Sequence, residues 1–468
     1  MSTRLAVIGA GPGGYVAAFH AADAGMQVTL IDADPNPGGV CTFRGCIPSK
    51  ALLHAARVLD EAKHAEAYGV SFGAPSIDVN RLRAWKDQVV KKQTGGLGLL
   101  AKSRKVTYIQ GRASFVDATN LSVRTSGGEQ KVQADYVIIA TGSRPTTVPN
   151  VSIDSPKVLD STTALELPDV PNRLLVVGGG YIGLELGTVY AALGSKVTVV
   201  EMTDGLLPGA DRDLAAVVAK RMETYAEAIL LETKVTAVKD DKKGLVVTLE
   251  GKSAPAGPQT FDRVLVAVGR RPNSAIDGLD KTKVKVNQRG FIEVDAQRRT
   301  AEPSIFAIGD VAGDPMLAHK ASHEARVAVE AIHGKQSVFE PRAIPAVVFT
   351  DPELAWTGLT ETDAKKQNTP IEIAKYPWAA SGRATTLDRP DGLTKLIIDP
   401  ETERILGVGI VGTGAGELIS EGTLAIEMGA LASDLKLTIH PHPTLSETVM
   451  EAADVFFGES AHVYKPRR

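Results

Sequence analysis

The sequence predicts an α/β fold built on parallel sheets, and three observations predict it. A short aliphatic strand, a glycine-rich turn, a helix and a strand ending in an acid follow one another near the N-terminus. The same succession returns far downstream. Aromatic residues make up only 5% of the chain against 43% hydrophobic residues in all, which fits the aliphatic interior of parallel strands covered by helices on both faces. The 468 residues exceed what one compact core supports and imply two to four domains.

The first unit opens with the strand Leu5-Ala6-Val7-Ile8, followed by Gly9-Ala10-Gly11-Pro12-Gly13-Gly14 and a helical run from Tyr15 to Ala24. Gln27 to Asp32 is the second strand. Gly9, Gly11 and Gly14 form a GxGxxG pattern that allows a tight turn, close approach to a pyrophosphate and close packing of helix on strand. The helix N-terminus faces the phosphates, and Asp32 at the strand end can accept from a ribose hydroxyl. Strand, turn, helix, strand and acid in register make this a dinucleotide-binding unit.

Next come the only two cysteines of the chain, Cys41 and Cys46, within Gly38-Gly39-Val40-Cys41-Thr42-Phe43-Arg44-Gly45-Cys46-Ile47-Pro48-Ser49-Lys50. An ideal helix places residues five apart at roughly 8 to 9 Å, whereas a disulfide wants Cα atoms within about 7 Å. A pair that closes here must distort the turn, and a strained disulfide is a reducible one. Two buried structural cysteines, or half of a metal site, are the plainer readings. No second cysteine pair or histidine cluster lies nearby to complete a metal site, so no metal is expected, and a redox-active dithiol is the better account.

Tyr136 to Gly142 is a buried strand ending in a glycine turn. The second unit then repeats the plan: Arg173 to Val177, Gly178-Gly179-Gly180-Tyr181-Ile182-Gly183, a helix through Leu193, and Lys196 to Glu201. Gly178, Gly180 and Gly183 are its fingerprint. Glu201 favours a free 2′-hydroxyl and repels a 2′-phosphate, and Met202-Thr203-Asp204 offers no arginine, so NAD is expected rather than NADP. Gly251 to Gln259 reads as a polar loop between strands. Arg263 to Arg270 is a strand running into a turn at Gly269 and Arg270. Ile305 to Asp310 places Asp310 at the carboxyl end of its strand, where open α/β sheets receive ligands.

Two dinucleotide units and a dithiol in one chain describe an electron relay. On these motifs, with Gly178 to Glu185, Ala307-Ile308-Gly309-Asp310 and His442-Pro443-Thr444-Leu445-Ser446-Glu447, the chain resembles the flavoprotein disulfide reductases, and within them the dihydrolipoamide dehydrogenases. The resemblance runs from about residue 4 to about residue 460. It implies FAD on the first unit, NAD on the second, and a C-terminal α+β interface domain that makes a homodimer. The implied division is 1–150 and 273–346 for the FAD and central parts, 151–272 for the NAD-binding domain, and 347–468 for the interface domain. By the same resemblance Cys41 is the sulfur met by substrate and Cys46 the one facing the flavin. Lys50 and Glu185 form an ion pair near the flavin. Ala113, Gly142, Asp310 and Ala318 contact FAD, while Val235 and the turn at Gly269 and Arg270 contact NAD. His442 is the acid–base residue and Glu447 its orienting partner, both acting on the dithiol of the other subunit.

Acid–base chemistry supports the last pair independently. A thiol with a pKa near 8.5 needs a base, and a histidine near 6.5 held by a carboxylate suits that task. His440 reads as structural or exposed. The chain departs from the commoner family pattern in Thr42-Phe43-Arg44, Val40, Asp32 and Pro441, and Arg44 is expected to stabilise a thiolate. The expected reaction is oxidation of a dihydrolipoyl group on a carrier protein with reduction of NAD⁺. The alternatives are a related NAD(P)H-dependent disulfide reductase, or a non-catalytic, redox-sensing flavoprotein subunit. A glutathione-type reductase would want arginines beside Glu201 and a serine at Leu445, and a mercuric reductase would need a further cysteine pair. An intact His442–Glu447 pair disfavours a mere sensor.

The net charge of −3 gives no reason to expect nucleic acid. No run of 18 uncharged apolar residues suggests a membrane span. A first strand so near Met1 leaves no room for a signal peptide, and a cycling dithiol points to the cytoplasm.

Overall fold

The computed structural model describes residues 2–464. Its first sheet is five-stranded and parallel, in the order Ile305–Ala307, Tyr136–Ile139, Arg4–Ile8, Gln27–Asp32, Thr107–Gln110. Leu5, Ala6, Val7, Ile138 and Ile139 are buried, as expected of strands covered on both faces. The register sets Val7 beside Leu30 on one side and Ile138 on the other. Ile305–Ala307 joins from far along the chain and brings Asp310 beside the turn at Gly142.

The second sheet follows the same plan, in the order Ala226–Leu230, Lys196–Val200, Arg173–Val177, Arg263–Val266, Val158–Leu159. Its helix Tyr181–Leu193 buries every residue from Gly183 to Tyr190, because it sits between layers and is apolar but for Glu185 and Thr188, both of which are hydrogen-bonded. A three-stranded antiparallel sheet extends this unit, and 252–258 is the loop between Gly244–Gly251 and Gln259–Phe261. The chain leaves the first unit along Ser143–Pro145 and returns along Arg270–Pro272, and these two segments pair as an antiparallel ribbon.

The C-terminal part is a five-stranded antiparallel sheet, in the order Ala346–Val348, Glu353–Gly358, Ile405–Gly412, Leu393–Ile398, Glu372–Pro377. Helices Ala415–Met428 and Glu447–Phe457 accompany it. Trp378 is fully buried in this core and donates its indole N–H to Thr394 Oγ1 at 2.9 Å. Lys395, with its side chain 1% exposed, holds this sheet to the second unit. Its Nζ lies 2.6 Å from Asp211 and 2.8 Å from both Asp213 and Glu361. Among the described residues no helix is long and apolar enough to cross a membrane.

Candidate active site

The two cysteines sit on either side of a helix break. Cys41 lies in the short helix Gly39–Arg44 and Cys46 opens the long helix Cys46–His64. A continuous helix would hold them apart. Gly45 breaks it, and a Cβ there would come within 2.9 Å of Val40 O. The sulfurs, free thiols here, therefore meet at 2.7 Å. The Cys46 thiol is lowered to about 7, first by the hydrogen bond from Cys41 and then by the Lys50 ammonium, against the opposing effect of burial. Cys41 moves the other way, because it keeps the proton it donates and is itself desolvated. Lys50, not Arg44, is the cation that lowers Cys46. The Arg44 guanidinium pairs instead with Asp34, 2.6 Å away, so the thiolate-stabilising role expected of Arg44 is not what the structure shows.

Both sulfurs line a cavity of about 380 Å³. Gly9, Gly11 and Asp32 line it too, as do Gly142, Asp310 and Ala318, and Lys50, Glu185 and Arg270. Most of the residues expected around the first cofactor and the dithiol therefore face one space. Glu185 is buried. Its Oε2 accepts from Lys50 Nζ at 2.8 Å and Ser49 Oγ at 3.0 Å, and its Oε1 accepts from the Phe349 amide at 3.0 Å. Lys50 also lies 4.4 Å from the centre of the Phe349 ring, a cation–π contact. The Lys50–Glu185 ion pair is thus present and is braced from the C-terminal sheet. Asp310 Oδ2 accepts from Ser143 Oγ at 2.5 Å.

The two glycine fingerprints are built alike. A Cβ on Gly9 would lie 2.3 Å from Ala140 O, and one on Gly178 would lie 2.5 Å from Ala267 O. Gly14 and Gly183 press their helices onto Gly9 O and Gly178 O, where a Cβ would sit at 1.8 and 2.2 Å. Gly180 meets nothing within 4 Å, and Gly11 only the Cα of Gly39 at 4.0 Å. This leaves room for a pyrophosphate against the helix N-terminus, so the residues fit two dinucleotides. Asp32 accepts from the amides of Ala10 at 2.6 Å and Asp34 at 2.9 Å. Glu201 accepts likewise from Gly179 at 2.7 Å and Thr203 at 2.8 Å. Each acid therefore braces its own glycine turn, and burial raises the carboxyl of Asp32 above the usual range.

Ala113 lies in Arg112–Phe115 among aliphatic neighbours, while its neighbour Arg112 lines the cavity. Val235 lies in Thr233–Asp241 and packs on the core of the second unit, and Gly269 turns towards Arg270 at its edge. His442, in the loop before the helix Glu447–Phe457, and Glu447, its first residue, do not line the cavity. His442 Nδ1 is 2.9 Å from Glu447 Oε1, and Thr444 N donates to Glu447 Oε2 at 2.7 Å. Burial pushes the Glu447 carboxyl up, but these hydrogen bonds outweigh it and hold it below its ordinary range. The His442 side chain is 78% exposed. His440 is structural: its Nε2 lies 2.7 Å from Glu421 Oε1 and its Nδ1 2.9 Å from Thr438 O.

Three participants escaped the sequence reading. Ser143 directly follows the strand-end Gly142, a signal that was available. Ser49 lies inside the cysteine motif. Phe349 carried no local signal, because its partner Glu185 is 164 positions away.

Residues 3–325 match the pyridine nucleotide-disulphide oxidoreductase family, and residues 344–453 match that family's dimerisation domain. The chain belongs to this family. It is 50% identical to the dihydrolipoyl dehydrogenase of Vibrio parahaemolyticus, over 98% of this chain and 96% of that one. It is 46% identical to the dihydrolipoyl dehydrogenase of Geobacillus stearothermophilus, over 99% and 98% of the two chains. Among solved structures it resembles LpdA of Mycobacterium tuberculosis, with a TM-score of 0.89 at 27% identity, covering 96% of this chain and 99% of that one. The HOCl-induced flavoprotein disulfide reductase RclA of Escherichia coli gives 0.86 at 28% identity, covering 97% and 99%. These relatives bear out the disulfide-reductase reading of the sequence and its dihydrolipoyl dehydrogenase branch.

Proposed function

We propose that this protein oxidises dihydrolipoyl groups carried on a partner protein and reduces NAD⁺, through FAD, as a homodimer in the cytoplasm. The carrying observation is the meeting of a dithiol, a Lys50–Glu185 ion pair with its carboxylate buried, and the glycines Gly9 and Gly11 of the first fingerprint in the lining of one cavity. We assign FAD to that cavity and NAD to the fingerprint at Gly178, Gly180 and Gly183, with Glu201 selecting against a 2′-phosphate. The domain division is 1–150 and 273–346, 151–272, and 347–468.

In this reading His442 of one protomer accepts a proton from a substrate thiol at its Nε2, while Glu447 holds the opposite ring nitrogen. The substrate thiolate attacks Cys41 Sγ in the oxidised pair. A substrate–Cys41 bond forms as the Cys41–Cys46 bond breaks, and Cys46 leaves as a thiolate. Lys50 stabilises that thiolate electrostatically, in line with the lowered Cys46 value. The second substrate thiol then displaces Cys41, which closes the lipoyl disulfide and leaves a dithiol. Bound FAD supplies the two-electron carrier between this dithiol and the nicotinamide. Glu185, itself held by the Ser49 hydroxyl, keeps Lys50 in place throughout.

The test is turnover with dihydrolipoamide and NAD⁺ by the purified protein, together with flavin extraction. The expected result is a yellow protein containing FAD whose kcat/KM is far higher with NAD⁺ than with NADP⁺. A folded but colourless preparation, or one without dihydrolipoamide turnover, would contradict the proposal.

A further inference from the structure

Arg270 belongs by sequence to the second unit, yet its guanidinium reaches into the first. Its Nε donates to Ser143 Oγ at 2.7 Å and its Nη2 to Ser143 O at 2.8 Å. Ser143 is buried and stands 2.5 Å from Asp310 Oδ2. All three residues line the cavity with the dithiol.

Donor chemistry fixes the direction of this chain of contacts. A guanidinium is a donor only, so Ser143 Oγ must accept from Arg270. The single hydroxyl proton of Ser143 is then directed at the Asp310 carboxylate, the one acceptor the hydroxyl meets among the described residues. Asp310 is held through Oδ2, and its Oδ1 has no protein partner among the described residues. Without Arg270 the hydroxyl is free to rotate, and Asp310 loses its fixed orientation. The β-ribbon that carries Ser143 and Arg270 is also where the chain passes between the two units.

The geometry points to Arg270 as a positioning residue for the flavin. Through Ser143 it sets which Asp310 oxygen faces the cavity, and so links the turn at Gly269 on the coenzyme side to cofactor retention on the flavin side. This inference rests on the proposed flavin assignment of the cavity and deepens it.

The experiment follows flavin release from the holoenzyme by fluorescence recovery in mild chaotrope. The variants are Arg270→Gln, Ser143→Ala, their double, Ser143→Thr and Arg144→Gln. Arg144 donates to Pro272 O and Asn273 Oδ1 in the same ribbon, and it lies outside the cavity lining. Arg270→Gln and Ser143→Ala are each expected to speed release about 10-fold, as expected for losing a hydrogen bond in a chain that ends on a charged group. The double should be no faster than the faster single, because both break one relay. Ser143→Thr should restore wild-type release, and Arg144→Gln should leave it unchanged. The inference is overturned if Arg270→Gln retains flavin like wild type, if the two effects multiply, or if Arg144→Gln speeds release equally. Wild-type protein holding no flavin at all would instead overturn the reading of the site, and this inference with it.

Discussion

Replacing Glu447 by Gln changes one atom and is expected to disable the base beside it. In the wild type, Glu447 accepts twice, from His442 Nδ1 at 2.9 Å and from Thr444 N at 2.7 Å. A glutamine offers only one oxygen. The Thr444 amide is fixed in the backbone and cannot become an acceptor, so it claims that oxygen. The glutamine NH₂ then faces His442 Nδ1, which must accept in turn, and the neutral ring moves its proton to Nε2. That nitrogen is the exposed one, and with a proton already on it the ring cannot take another from a thiol while neutral. The loss is therefore one of tautomer as well as charge. Losing a general base costs about 10²- to 10⁴-fold, and a wrong histidine tautomer in a hydrolase triad costs about 10⁴-fold. The assay is steady-state oxidation of dihydrolipoamide with NAD⁺, run beside NADH oxidation by an artificial acceptor, which needs no thiol base. The first should fall by about 10²- to 10⁴-fold and approach the rate of His442→Ala, while the second stays unchanged. Wild-type kcat in Glu447→Gln would refute the reasoning, as would an equal fall in both activities.

Three further outcomes follow from the geometry. Lys50→Met removes the cation that helps lower Cys46 to about 7. Thiolate formation in the reduced protein, followed by its ultraviolet absorbance, should then move to higher pH, and an unmoved titration would count against the electrostatic account. Lys395→Met leaves the buried Asp211 without its cation in the seam between the second unit and the antiparallel sheet, while Asp213 and Glu361 keep Lys375. A loss of about 3 to 5 kcal/mol is expected in denaturant unfolding, and an unchanged midpoint would show the cluster to be dispensable. His442→Ala and Cys41→Ser proteins, each nearly inactive, should regain activity when their subunits are exchanged into heterodimers. Exchange verified by mass without recovery would place the base within its own chain.

What the sequence made legible was local. Each glycine fingerprint lies within about 30 residues, the span of a βαβ unit, and the two folded into the same geometry down to the carbonyls that exclude a Cβ at Gly9 and Gly178. A distorted turn between the cysteines was implied by the mismatch between helix spacing and disulfide reach, but its place at Gly45 was not. What stayed hidden depends on distant segments meeting. The amide of Phe349 bracing Glu185, and Ser143 bridging Arg270 to Asp310, join residues more than 120 positions apart. No periodicity encodes such pairs. Arg44 illustrates the converse: its charge was visible between the cysteines, but its partner Asp34 is set by how the strand end at Asp32 turns.

The central claim is that electrons from the substrate thiols pass through the Cys41–Cys46 pair before reaching the nicotinamide. The measurement that tests it most directly compares both half-reactions in Cys41→Ser and Cys46→Ser. Each variant should lose dihydrolipoamide oxidation while retaining bound flavin and NADH oxidation by an artificial acceptor, because only the first reaction runs through sulfur. Dihydrolipoamide turnover surviving in both variants would take the dithiol off the electron path and contradict the account.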